Sequence, residues 1–198
     1  MSERLFLPAT IYDRLVVHAR DQYPNEACGL LRGRAHRVVE FLPARNVSPT
    51  PRTDYEVDPE SLIRALSWED EGDELIAIFH SHPVSPAYPS LIDVARALYF
   101  DSVYLILSLQ RPNKPELRGY LLHPLAIFQD KAAETVRSQF PFLVVRPGLW
   151  ALKLPARHGI PWLPQPPAPP AASVLVYDQP HGPVRLIQIQ PVEVSIHP

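Results

Sequence analysis

The segment that most restricts the fold is the uninterrupted apolar run at 75–79, which leads directly into His80-Ser81-His82-Pro83. A strand of this kind has no polar face to turn to water. It must be covered on both sides, as strands are in α/β proteins with helices flanking a sheet. Its neighbours fit that reading. Residues 9–22 place Ile11, Leu15, Val16 and Ala19 at helical spacing, and Tyr23-Pro24 closes the segment. Two apolar runs, 28–31 and 38–42, read as a hairpin split by the polar Arg32-Gly33-Arg34. Asp58-Pro59-Glu60 has the form of a helix start, with a capping residue and proline at the first helical position. The acidic run at 69–74 reads as a solvated loop. Ser90 opens a predicted helix through Phe100, and 103–109 and 117–122 read as further strands. The alternation predicts an α/β layered domain over residues 1–125.

The remainder, 126–198, reads as an extension. Residues 126–139 suit a helix. The chain has 25 prolines against 7 glycines, and seven of those prolines fall within 155–170, which therefore reads as an extended linker. Residues 173–196 alternate as β-strands do, around the turn-like stretch 179–183, and predict a hairpin. That hairpin could add to the domain's own sheet or pair with a second copy as a homodimer.

The chemistry concentrates at the end of the 75–79 strand. Side chains at i and i+2 on a strand share a face, so His80 and His82 project together. Two imidazoles so placed make half of a zinc site. Asp93 lies in the first turn of the next helix, and the loop before it is long enough to fold back and supply a carboxylate as third ligand. Three protein ligands with a fourth position open is the catalytic zinc arrangement, in which a water becomes acidic enough to ionise near pH ~7. Proton transfer to a leaving amine needs a further group, and Glu26 is the candidate on placement, at the junction of the first helix and first strand. Ser90 could donate to a developing oxyanion. Ser90-x-x-Asp93 is also a capping box, a role compatible with metal binding by Asp93.

Taken together, the segment 24–31 (Pro-Asn-Glu-Ala-Cys-Gly-Leu-Leu), His80-Ser81-His82-Pro83 and Pro89-Ser90-Leu91-Ile92-Asp93 resemble the JAMM (MPN+) metalloproteases. The signature of that family is an upstream Glu, then His-Ser-His-Pro, with seven residues between the second His and Ser-x-x-Asp. The resemblance implies a three-layer α/β/α, cytidine-deaminase-like fold with a mixed sheet. It implies Zn²⁺ on His80, His82 and Asp93, Glu26 as general acid/base, and Ser90 steadying the tetrahedral intermediate. It also implies cleavage of amide bonds after the C-terminal Gly-Gly of ubiquitin-like or sulfur-carrier proteins of β-grasp fold. Two alternatives stay open: hydrolysis of a small carrier–cysteine adduct, and a non-catalytic MPN scaffold. The filled ligand positions argue against the second.

Composition excludes other classes. Net charge is −2 with no basic block, so neither nucleic acid nor a membrane surface is an expected partner. The single cysteine, Cys28, rules out an internal disulfide and reads as a small buried hydrophobe. The first residues lack a signal-peptide pattern and no apolar run approaches the ~20 residues of a membrane span, so the expected location is cytoplasmic. His18, His36, His123, His158, His181 and His197 lack ligand spacing and are assigned no role.

Overall fold

The computed structural model describes residues 4–198. In chain order the elements are β1 (Arg4–Pro8), α1 (Ala9–Gln22), β2 (Cys28–Arg34), β3 (Arg37–Ala44), α2 (Pro59–Leu66), β4 (Glu74–His82), α3 (Leu91–Arg96), β5 (Val103–Ser108), β6 (Glu116–Phe128), α4 (Asp130–Gln139), β7 (Leu143–Arg146), β8 (Leu149–Leu154), β9 (Ala172–Tyr177) and β10 (Val184–His197). They fall into two compact units. One comprises the residues up to Tyr88, Asp101–Tyr120 and Val192–Pro198; the other comprises Pro89–Phe100 and Leu121–Pro191.

The first unit is mixed α/β, with strand order β1-β3-β2-β4-β5-β6. β4 is antiparallel to β2 and parallel to β5, and everything in it from Ile76 to His82 is buried. The apolar run therefore has cover on both faces, as its composition demands. The strand is longer than the run, because the ladder to β5 continues through His80, Ser81 and His82. The helix predicted at 9–22 forms there as α1 and buries Ile11, Leu15, Val16 and Ala19.

The hairpin differs from expectation at its turn. Both strands run through the polar stretch, and the chain reverses at Ala35-His36, whose φ values are 49° and 65°. Two successive left-handed residues suit the twist of a two-residue hairpin. Gly33 is required where the ladder to β3 is irregular, since a Cβ there would collide with the Arg37 carbonyl. The acidic run is not simply solvated. Arg32 Nε meets Asp73 Oδ2 at 2.6 Å and its Nη2 meets Glu71 Oε2 at 2.7 Å, joining a short 3-10 turn to β2. α3 ends at Arg96, short of Phe100, because Leu98 and Tyr99 face water and offer no buried side for another turn.

In the second unit the strands order as β10-β9-β8-β7, all antiparallel, and α4 buries Ala133 and Val136 in the same core as Leu154, Leu175 and Leu186. The proline-rich stretch at 155–170 has neither helix nor strand, and Leu163 within it is part of this core. The predicted tail hairpin forms as β9 and β10. The last residues of β10 pair in parallel with β1, Leu5 opposite Val194 and Leu7 opposite Ile196. Among the described residues no helix is long and apolar enough to cross a membrane.

Asp58 caps α2. Its carboxylate accepts from the Ser61 amide (3.1 Å), the Ser61 hydroxyl (2.8 Å) and the Arg45 amide (3.0 Å). Burial would raise its pKa, but these donors outweigh burial and hold it below the ordinary carboxylate value. A depressed folded pKa stabilises above the unfolded value and is lost as pH falls through the folded one. Asp58→Ala should therefore lower stability at neutral pH by about 1–2 kcal/mol in denaturant titrations. The gap from wild type should narrow as the solution is taken below the usual carboxylate range.

Candidate metal centre

β4 ends in the residues of interest. His80, His82 and Asp93 are all buried, and each offers a ligand atom within 4.8 Å of the other two. The Nε2 atoms of His80 and His82 face each other at 3.1 Å. Two nitrogens bound at ~2.0–2.1 Å to one tetrahedral zinc would stand about 3.3 Å apart. Donor type and spacing both fit the metal.

The tautomer of His82 follows from its other nitrogen. Nδ1 lies 2.8 Å from the Pro86 carbonyl, which can only accept, so Nδ1 carries the proton and Nε2 presents a lone pair. A ligating imidazole is normally oriented in this way by a partner beyond the metal. The ring of Tyr55 stacks on His80, centroids 4.4 Å apart and planes 16° from parallel. That contact was not foreseen. The chain beside Tyr55 forms an isolated β-bridge, Asn46–Val57. No periodicity in the sequence marks a ring that stacks across a loop.

Asp93 sits in the first turn of α3 as the spacing predicted. The Ser90 amide donates to Asp93 Oδ2 at 2.7 Å, and the Asp93 amide donates to Ser90 Oγ at 3.1 Å. The capping box is complete, which fixes the start of the helix and the carboxylate with it.

No sequence rule links Glu26 to β4, yet strand pairing brings its neighbourhood there.

Cys28 lies opposite His80 in the β2–β4 ladder. One residue earlier, the Ala27 amide donates to Ser81 Oγ (2.8 Å) and the Ser81 amide donates to the Ala27 carbonyl (2.9 Å). Ser81 is the residue between the two histidines. Glu26 is buried, its amide donating to the Pro51 carbonyl at 2.7 Å. Its own carbonyl accepts from Asn46 Nδ2 at 2.9 Å. Asn46 also donates to the Asp54 carbonyl (3.0 Å) and accepts from the Ser48 (3.0 Å) and Glu56 (3.1 Å) amides. One side chain thus ties Glu26 to the loop that carries Tyr55.

Cys28 is fully buried, and burial, with the Asp58 and Glu26 carboxylates adding to it, pushes its thiol up to about 12. Thiolate chemistry is suppressed at such a value. Cys28 should therefore resist a thiol-specific reagent in native protein at neutral pH and react once denaturant is added. Asn46→Ala should lower stability by roughly 2–3 kcal/mol, because several backbone groups lose their partner together; thermal unfolding measures it.

Comparisons with known proteins agree with this geometry. Residues 8–121 match the family described as prokaryotic homologs of the JAB domain. The chain is 33% identical over 129 residues to the CysO-cysteine peptidase of Mycobacterium tuberculosis, covering 64% of this chain and 88% of that one. It is 40% identical over 114 residues to the desampylase of Haloferax volcanii, covering 54% of this chain and 82% of that one. The solution structure of a protein from Desulfitobacterium hafniense aligns with a TM-score of 0.53 and 34% identity, over 59% of this chain and 83% of that one. With the family match spanning the first helix, both histidines and the aspartate, this chain belongs to the prokaryotic JAB-domain homologs.

Proposed function

We propose that this protein is a zinc metallopeptidase that hydrolyses the amide bond following the C-terminal Gly-Gly of a ubiquitin-like or sulfur-carrier β-grasp protein. The observation that carries the reading is the convergence of His80, His82 and Asp93, with ligand atoms within 4.8 Å of one another. When bound there, zinc supplies Lewis acidity that polarises a carbonyl and acidifies water. Glu26 would take a proton from the attacking water and return it to the leaving amine. Ser90 donates its hydroxyl to the oxygen of the carbonyl under attack, where negative charge develops. The hydrolase domain spans residues 1–125, with 126–198 as its extension, and the protein acts in the cytoplasm.

A second substrate reading rests on the similarity to the CysO-cysteine peptidase, whose name describes a carrier–cysteine adduct. A cysteine joined to a carrier C-terminus through its amino group would also present an amide bond, so the same residues would serve both. Turnover of a carrier–cysteine conjugate measured beside a carrier–protein conjugate separates the two.

Purified protein should hold about one zinc and cleave a β-grasp fusion after Gly-Gly. Glu26→Gln should retain the zinc and lose activity by about 10²–10⁴-fold, the usual contribution of a positioned acid/base. Undiminished turnover would remove Glu26 from that role, and metal-free protein inert on every such fusion would favour the scaffold reading.

A further inference from the structure

The loop between His82 and Ser90 is pinned carbonyl by carbonyl. Ser108 Oγ donates to the Ser85 carbonyl at 2.6 Å, and the Gln110 amide donates to Ser108 Oγ at 3.2 Å, leaving the hydroxyl proton for Ser85. The Pro86 carbonyl accepts from His82 Nδ1 and from the Tyr88 amide, both at 2.8 Å. The Tyr120 hydroxyl donates to the Ala87 carbonyl at 2.8 Å, and the Tyr88 ring meets Tyr120 edge-on. Three successive carbonyls are therefore held, and the middle one sets the tautomer of His82.

The anchors are rigid. Ser108 is the register partner of His82 across β4 and β5, and the Leu109 amide donates to the His82 carbonyl at 3.0 Å. Tyr120 is buried in β6, opposite Tyr104. A loop with prolines at 83, 86 and 89 has few amides of its own to spend on internal bonds, so it depends on side chains of the sheet for its shape.

We propose that Ser108 and Tyr120 are positioning residues for His82: by holding the carbonyls on either side of Pro86, they keep the Pro86 carbonyl where it fixes the Nδ1–H tautomer and aims Nε2 at the metal position. The inference rests on the metallopeptidase reading for its purpose but concerns the ring of His82 itself.

The test compares Tyr120→Phe and Ser108→Ala with Ser102→Ala, which removes a similar hydroxyl-to-carbonyl bond of 2.6 Å, to Leu75 at the other end of β4. Long-range ¹⁵N–¹H spectra of the metal-free proteins report the His82 tautomer, and competition with a chromophoric chelator reports zinc affinity. Wild type and Ser102→Ala should show the single Nδ1–H form. Tyr120→Phe and Ser108→Ala should show mixed tautomers and bind zinc about tenfold more weakly, the lower end of the effect of outer partners. Ser108→Thr, which keeps the hydroxyl, should restore both. An unchanged His82 signal in Tyr120→Phe and Ser108→Ala, with zinc affinity matching Ser102→Ala, would overturn the proposal. Wild-type protein that binds no zinc would sink the metallopeptidase reading instead, while the metal-free spectra would still decide the role of Ser108 and Tyr120.

Discussion

The pairing of β2 with β4 is the constraint on which the site depends. Its register sets Cys28 against His80, and its continuation joins Ala27 to Ser81 through a backbone bond and a side-chain bond. A slip of one residue would turn every side chain of β4 to the opposite face. His80 and His82 would then leave the candidate metal site, and Phe79 and Ser81 would turn towards it. Packing makes that slip costly, since every side chain from Ile76 to His82 is buried and would lose the neighbours that fit it.

Around this ladder, polar groups do the positioning that an apolar core cannot. Asn46 gathers the carbonyls of Glu26 and Asp54 and the amides of Ser48 and Glu56, converting an irregular loop into a fixed wall beside the histidines. Tyr55 reaches His80 from that wall. On the other side, the Pro86 carbonyl fixes His82. Each imidazole thus has its own support, and the supports come from loops whose shape depends on side-chain hydrogen bonds rather than on regular secondary structure.

The family match ends at residue 121, and beyond it the chain builds a second core of its own. Trp150 stacks on Tyr177 at 4.9 Å, and Phe142 meets the same ring edge-on. The proline-rich stretch contributes Leu163 to this core rather than hanging free. Proline lowers the entropy lost when an irregular segment is ordered, which suits a stretch held by a few apolar contacts.

The sequence by itself determined the elements with strong local signals. Helical spacing at 9–22, the cap at Asp58, the apolar run before His80 and the Ser90–Asp93 box are each short-range patterns, and each formed where it was read. The grouping of His80, His82 and Asp93 as candidate ligands was legible for the same reason, because a two-residue period and a capping box are local rules. Only the tertiary structure decided what depends on long-range pairing. β1 was invisible because a five-residue strand beside the terminus takes its partners from the far end of the chain. The pairing of Arg32 with Glu71 and Asp73, the stacking of Tyr55 on His80, and the anchoring of Glu26 by Asn46 all join residues whose proximity no local pattern encodes. Local rules describe what a segment prefers; which segments meet is settled by the sheet register and the burial that enforces it.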